Sequence, residues 1–230
     1  MPPDQVSLLS AGCLQRNDWI CGDYLTSRSD LILSAVGQHV TLTLVSVAIG
    51  LLLALPLGVL AFRFPRTRLL VLGGSTVLYT IPSLAMFSLL LPFTGLSATT
   101  VVIGLVLYSL TILVRNVLAG LQGVPADVVE SAVGTGYGPA SLLLRVQLPL
   151  ALPTVLAGLR VATVSTVALV TVGSILGHGG LGDLIYAGRR TQFQAEVLTA
   201  TGRVVALAVV ADLLLVGVQR ALTPWVRSAR

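Results

Sequence analysis

Lysine is absent from this sequence of 230 residues, whose 14 basic residues are all arginine. A chain without lysine has no Walker A motif for ATP, no Schiff-base lysine and no SxxK nucleophile pair. If ATP drives this protein, another chain must bind the nucleotide. We therefore expect no cofactor in this chain.

Histidine is nearly as scarce. His39 and His178 lie far apart, and neither has a Glu or a second His at the spacing of a zinc site. We predict no metal site and interpret the two as an interface histidine and a loop histidine. Ser174 near His178 suggests an intramembrane hydrolase, but no GxSxG elbow accompanies the pair.

Charged residues make up only 10% of the chain, whereas 55% is hydrophobic and the mean hydropathy is +0.94. This composition indicates a multi-span membrane protein rather than a soluble one. The net charge is +5, but the arginines are dispersed among apolar runs instead of clustered on one soluble face. That distribution favours anchoring at the inner membrane face over binding of nucleic acid.

The apolar runs predict about five transmembrane helices. Runs of about 20 residues are long enough to cross a hydrocarbon core ~30 Å thick. They are too long for β strands and lack strict alternation, so a β-barrel is disfavoured. The predicted spans are 40–61, 69–91, 98–118, 154–176 and 204–219. We therefore expect an all-α polytopic membrane bundle with one membrane domain.

Arginine placement predicts the orientation of this bundle. With five spans, the arginine-rich segment after the first span, the polar segment after the third and the C-terminal tail share one side, which is the cytoplasm. We expect an extracytoplasmic tail over 1–34, a membrane domain over 35–222 and a cytoplasmic tail over 223–230. Arg189 and Arg190, in a polar connection predicted outside, are the main exception.

The tail predicted outside carries the two cysteines of the sequence, Cys13 and Cys21. An oxidising environment permits a disulfide there. Two interpretations stay open, a bridge and a pair of free thiols.

A polar, glycine-interrupted segment over 125–153 separates two apolar runs. Asp127 and Glu130 are predicted in the first turn of a short helix after Pro125, where the helix dipole favours negative charge. Three glycines and a proline within 134–139 then force the chain to turn. Apolar residues recur at helical spacing beyond the turn; they are Leu142, Leu143, Val146 and Leu150. The segment therefore predicts a short amphipathic elbow.

This elbow resembles the cytoplasmic EAA loop of permease subunits in binding-protein-dependent ABC importers. The family pattern is Glu-Ala-Ala, three residues, Gly, nine residues, then an aliphatic residue, any residue, Leu and Pro. The matching positions are Glu130, Ser131, Ala132, Gly136, Val146, Leu148 and Pro149, with Ser131 in place of the middle Ala and Val146 in place of the usual Ile.

The resemblance implies a set of partners. The elbow would be a coupling helix that docks on a separate ATPase subunit, which binds ATP and Mg²⁺. It also implies an extracytoplasmic solute-binding protein and a second permease subunit, identical or homologous. In this interpretation the chain itself is not an enzyme.

Three further runs narrow the resemblance to permeases for glycine betaine, carnitine, choline and related osmoprotectants. They cover 107–124, 148–168 and 173–185. The same machinery for ergothioneine or an amino acid stays an alternative. An ion-coupled secondary transporter is a rival from another class, but it would favour inverted repeats and several intramembrane acidic sites.

Quaternary ammonium groups are recognised by aromatic faces, yet this chain is only 5% aromatic. A high-affinity cage is therefore expected in the solute-binding protein instead. Tyr79 and Tyr108 lie inside predicted spans. They are interpreted either as part of a low-affinity translocation path or as packing residues with satisfied hydroxyls.

Three charged residues fall within apolar runs, where an isolated charge costs at least ~2.5 kcal/mol on insertion scales. They are Arg115, Arg160 and Asp212, predicted at similar depth in the inner half of the membrane. Asp212 is expected to neutralise one or both arginines. A structural brace and a gating role both stay open.

Overall fold

The N-terminal part of the chain folds into two short helices that lead into a long one. The computed structural model describes residues 12–226, and its first helices are α1 (Cys13–Arg16), α2 (Gly22–Ser27) and α3 (Ser29–Arg63). At 1.5 Å per residue, the 35 residues of α3 extend about 50 Å, well beyond a hydrocarbon core of about 30 Å. The predicted boundary at 34/35 therefore falls inside a helix.

The second predicted span is not one straight helix. The chain forms α4 (Pro65–Thr80) and α5 (Ser83–Thr94), whose axes differ by 99°. Pro82 causes the break, because proline has no N–H to donate and disfavours helical backbone at Ile81, where ψ is 125°. Helix α5 also continues to Thr94, beyond the end of the predicted span at 91.

The central helix of the bundle is α6 (Ala98–Gln122), which buries more of its surface than any other described helix. Its N-terminus is capped by Ser97, whose side chain accepts from the N–H of Thr100. Small residues let α3 approach it closely. A Cβ atom on Gly58 would lie 2.4 Å from Val117 Cγ1. Close packing at small residues is the usual way that helices associate in a membrane.

The segment after α6 forms the elbow and then the fourth span. Its elements are α7 (Ala126–Gly134), α8 (Pro139–Leu142), a π-helical turn (Leu143–Gln147), α9 (Leu148–Val170) and a 3₁₀ turn (Thr171–Leu176). From Pro139 onward these elements follow one another without interruption, so that 139–176 forms a single apolar span of 38 residues. The second half of the elbow is thus continuous with a membrane helix.

The last two helices are α10 (Leu181–Thr191) and α11 (Gln194–Leu222), followed by a 3₁₀ turn (Pro224–Val226). The sequence predicted only a polar connection where α10 stands. Within α11 just two residues, Ala195 and Ala200, are buried. One side of this helix contacts α9 and α10, and most of its apolar side chains stay partly or fully exposed.

Four helical segments of the described chain are long and apolar enough to cross a membrane, and the bent pair α4–α5 brings the number to five if it crosses as one span. This count confirms the predicted all-α membrane bundle. The bond from Arg63, the last residue of α3, to the Pro139 carbonyl places the elbow at the end of α3 opposite the tail.

Candidate functional site

Helix α7 carries the first part of the EAA pattern, Glu130, Ser131 and Ala132. Only Asp127 lies in its first turn, so the expectation that Glu130 shares that turn was wrong. Ser131 Oγ donates to the Asp127 carbonyl at 2.7 Å. The serine that replaces alanine therefore fits within the helix, because its hydroxyl is satisfied one turn back.

The turn of the elbow depends on Gly136, whose φ is +93°. L-residues rarely adopt this backbone conformation. The N–H of Gly136 donates to Val133 at 2.9 Å, and the N–H of Tyr137 donates to Ala132 at 3.1 Å. No atom lies within 4 Å of where a Gly136 Cβ would stand. Glycine is thus required here by conformation and not by space.

The first half of the elbow, formed by α7 and α8, lies outside the packed core. No residue of α7 or α8 is buried, and the apolar side chains of Val133 and Tyr137 are 54% and 38% exposed. Apolar surface left uncovered on a projecting element is typical of a docking surface.

The remaining EAA positions stand where the chain enters the fourth span. Val146 lies in the π-helical turn, and Leu148 and Pro149 begin α9. The expected α-helical spacing of the apolar residues fails there, and the polar Gln147 is the buried residue of the turn. Pro149 has no N–H to give to the carbonyl of Arg145, which favours a wider turn at this point.

Arg63 connects the elbow to α3, a contact that sequence reasoning missed. Its Nη2 donates to the Pro139 carbonyl at 2.7 Å. Phe62, Arg63, Tyr137 and Gln147 help to line a groove of about 300 Å³ beside this bond. In the sequence, Arg63 is only one of several arginines that indicate the cytoplasmic side.

The three charges expected in one network are divided between two places. Arg160 on α9 forms a two-bond ion pair with Asp212 on α11, with Nε–Oδ1 at 2.9 Å and Nη2–Oδ2 at 3.0 Å. Their side chains are 31% and 34% exposed. Arg115 instead donates from Nη2 to Thr76 Oγ1 at 2.8 Å. Asp212 therefore neutralises one arginine and not both.

Tyr79 and Tyr108 meet edge to face, with ring centroids 5.8 Å apart. The hydroxyl of Tyr108 donates to the carbonyl of Ile81, at the break between α4 and α5. A neighbouring helix thereby satisfies a backbone group that the break leaves free. Tyr108 is buried in this contact, whereas Tyr79 stays half exposed.

A disulfide joins Cys13 to Cys21 across eight residues of sequence separation. The loop that it closes holds Asn17, whose side-chain N donates to the Gln192 carbonyl at 2.8 Å and whose side-chain O accepts from the Gln194 N–H at 2.9 Å. One asparagine thus clamps the corner between α10 and α11. Asp23 lies within 4.8 Å of both sulfurs, but the two sulfurs are bonded to each other.

Aromatic packing strengthens the same clamp. Tyr24 meets Phe193 edge to face at 5.3 Å and is almost fully buried. Burial, and after it the nearby Glu196 carboxylate, raises the pKa of the Tyr24 phenol to about 12. The described part of the tail, from residue 12 onward, is therefore part of the packed structure at this end.

The glycine-rich stretch over 177–183 forms a tight turn against α3 and the 3₁₀ turn. A Cβ atom on Gly182 would lie 2.4 Å from the Thr171 carbonyl oxygen, and one on Gly180, where φ is +57°, would lie 2.8 Å from the His39 backbone nitrogen. His39 is fully buried and its Nε2 bonds the Val167 carbonyl at 3.0 Å. His39 on α3 thus packs against α9.

These features describe a class of protein: a multi-pass membrane permease with a projecting elbow at one end of its helices. The comparison with known families agrees. Residues 46–228 match the family described as "binding-protein-dependent transport system inner membrane component". The chain belongs to this family, and it is therefore a permease subunit of an ABC importer.

Two relatives illustrate the likeness in sequence. The chain is 34% identical over 204 residues to a glycine betaine/carnitine/choline transport system permease protein of Bacillus subtilis, with 88% of this chain and 89% of that protein covered. It is 40% identical over 157 residues to an ergothioneine transport permease/ergothioneine binding protein of Helicobacter pylori, covering 68% of this chain and 28% of that protein.

A solved structure shows the same fold. The chain superposes on a subunit from an inward-facing MetNI methionine ABC transporter with a TM-score of 0.79 and 22% identity, covering 86% of this chain and 98% of that one. At 22% identity, this likeness shows a shared fold and nothing about function.

Proposed function

We propose that this chain is the non-catalytic permease of an importer that carries betaine-type quaternary ammonium solutes. The exposed elbow, which bears the EAA pattern and turns at Gly136 with φ +93°, supports the coupling role most directly. The likeness to a glycine betaine/carnitine/choline permease over 88% of the chain supports the substrate class. ATP and Mg²⁺ would be bound by the partner ATPase.

The elbow has two connections that would carry motion into the membrane. From Pro139 the chain continues without interruption into α9, so a displacement of the elbow rotates or shifts that span. The Arg63–Pro139 bond adds α3. ATP-driven closure of the ATPases would move both helices and open the solute pathway of the permease toward the outside. ATP hydrolysis would return the permease to its starting state.

We infer that a second permease subunit covers much of α11. Its apolar side chains are exposed over most of its length; they include Val209, Val210, Leu213 and Leu214. Most oligomers of one chain are symmetric pairs. A pair of permeases would also present two elbows to two ATPase chains.

The test is solute uptake by proteoliposomes that contain the permease, its ATPase and its solute-binding protein. We expect ATP-dependent uptake of glycine betaine, carnitine or choline and none without ATP. Uptake of ergothioneine or an amino acid alone would replace the substrate class while keeping the machinery. Uptake that follows an ion gradient without ATP would overturn the assignment.

A further inference from the structure

A cavity of about 750 Å³ opens between α10 and the 3₁₀ turn that follows α9. Its lining includes Ser174, Ile175, Asp183, Tyr186, Arg190 and Thr191. The fourth span begins at the elbow and ends at this cavity. The cavity therefore lies at the end of the bundle that faces away from the ATPase, where a binding protein would release its solute.

Helix α10 is amphipathic, and its polar face lines the cavity. Asp183, Tyr186 and Arg190 follow one another at spacings of three and four residues, which places them on one side of a helix. The opposite side carries Leu181 and Leu184, both buried against the N-terminal tail and α11. Packing of that apolar side fixes the direction in which the polar face points.

The polar face presents three different chemical groups in order. Both carboxylate oxygens of Asp183 accept from the Gly179 N–H, at 3.0 and 3.1 Å, so the negative group is held in place. Tyr186 lines the cavity, and 49% of the residue is exposed. Arg190 stands seven residues beyond Asp183, about 10 Å along the axis. A negative charge, an aromatic ring and a positive charge thus follow one another across the cavity.

We propose that this cavity is a low-affinity receiving site for a zwitterionic quaternary ammonium solute. The trimethylammonium group would lie against the Tyr186 ring on the side of Asp183, because an aromatic face and a carboxylate both attract a cation. The carboxylate of the solute would bind Arg190, whose guanidinium matches a carboxylate with two donors. The site rests on the proposed function and adds the groups that recognise each end of the solute.

The chemistry separates two kinds of solute. Glycine betaine carries both charges, whereas choline has the same ammonium group and a hydroxyl instead of the carboxylate. Arg190 should therefore matter for glycine betaine and not for choline. Tyr186 should matter for both.

The direct experiment uses purified permease with Thr191→Cys, whose new thiol lines the cavity. The sequence has two other cysteines, and both are in the disulfide, so a maleimide labels only position 191. Millimolar glycine betaine and choline should each slow this labelling severalfold. Adding Arg190→Gln should weaken the glycine betaine effect about tenfold or more, the usual scale for a lost charged hydrogen bond, and leave the choline effect unchanged.

Arg189→Gln is the matched control. Arg189 has the same charge and lies at the same end of α10, but it faces a different groove beside Asn17 and Trp19. Protection by both solutes should persist in this variant. Tyr186→Ala should abolish protection by both solutes, and Tyr186→Phe should keep it because the ring remains.

The result is independent of the uptake experiment, since labelling needs neither ATP nor the other subunits. Wild-type vesicles that import no quaternary ammonium solute would refute the proposed function alone. Labelling that neither solute slows would overturn the receiving site, even if uptake is normal. Equal effects of Arg190→Gln and Arg189→Gln, or equal loss for betaine and choline, would overturn it as well.

Discussion

The two ends of this permease are built on opposite principles. At the end predicted outside, the outer end, a disulfide closes a loop within the tail, and an asparagine clamp and an aromatic pair join the tail to the α10–α11 corner. At the inner end, α7 and α8 bury no residue, and the side chain of Arg63 on α3 donates to the carbonyl of Pro139 on α8. The outer end is stabilised by its own contacts, whereas the inner end leaves the apolar side chains of Val133 and Tyr137 exposed.

This difference predicts which changes destroy the fold and which destroy coupling. Substitutions at the outer end should lower the amount of folded permease. Substitutions in the elbow should leave the folded permease intact and stop transport.

Gly182→Val should have the largest effect, because it should prevent folding. A Cβ atom at this position would stand 2.4 Å from the carbonyl oxygen and 2.5 Å from the Cα atom of Thr171. Both are backbone atoms, which yield far less easily than the end of a side chain. Gel-filtration yield from membranes should fall close to zero.

Gly37→Val is the control for this experiment. Gly37 also lies toward the outer end, on an exposed side of α3, and no atom stands within 4 Å of its Cβ position. Its yield should stay near that of the wild type. If both variants fold equally well, the outer turn is not the tightly packed element that these distances indicate.

Gly136→Val should abolish uptake while leaving the folded yield unchanged. Its φ of +93° is strained for any L-residue, most of all for a β-branched one, so the elbow should change shape. The measurements are ATP-dependent uptake, yield and co-purification of the ATPase. Gly138→Ala, at φ −71° and in open space, should behave like the wild type. Normal uptake by Gly136→Val would remove the coupling role from this loop.

The main architecture of the chain was predictable because long apolar runs and arginine placement are local properties of a sequence. The break at Pro82 was not predictable in the same way. The break leaves the carbonyl of Ile81 free, and the group that satisfies it, the hydroxyl of Tyr108, comes from a helix distant in sequence. Helix α10 was missed since its 11 residues are only partly apolar and follow a glycine-rich turn. The elbow's turn was predicted from its glycines, but the π-helical turn after it breaks the spacing on which that prediction relied.

The charged residues show the same limit. Similar depth in the membrane suggested that Asp212 can meet Arg115 or Arg160. Depth does not say which faces of two helices meet, and the structure pairs Asp212 with Arg160 while Arg115 bonds Thr76. Only tertiary packing decides between partners at equal depth.

Cys13→Ser should have a smaller effect, confined to the tail. A disulfide that closes a loop this short contributes about 2–3 kcal/mol in the chain-entropy estimate. Amide hydrogen exchange over residues 13–28 should accelerate accordingly, with the membrane helices unchanged. Dithiothreitol should produce the same change in the wild type and none in the variant.

The same variant tests the orientation of the chain. It leaves Cys21 as a single thiol in the tail, and an impermeant maleimide should label it in intact cells once the clamp opens. Labelling that requires lysis would place the tail in the cytoplasm and would therefore reverse the assignment of the outer and inner ends of the bundle.

Asp212→Asn should have the smallest effect, because its ion pair with Arg160 lies between the two ends and is about one third exposed in a single chain. Removing one partner leaves the other charge uncompensated, which destabilises more than removing both. We expect a moderate loss of yield that the double change Asp212→Asn with Arg160→Gln partly restores. The double change Asp212→Asn with Arg115→Gln should restore none of the lost yield, because Arg115 donates to Thr76 and not to Asp212. Recovery with Arg115→Gln and none with Arg160→Gln would contradict the observed pairing, and loss of uptake at full yield would give the pair a role in gating.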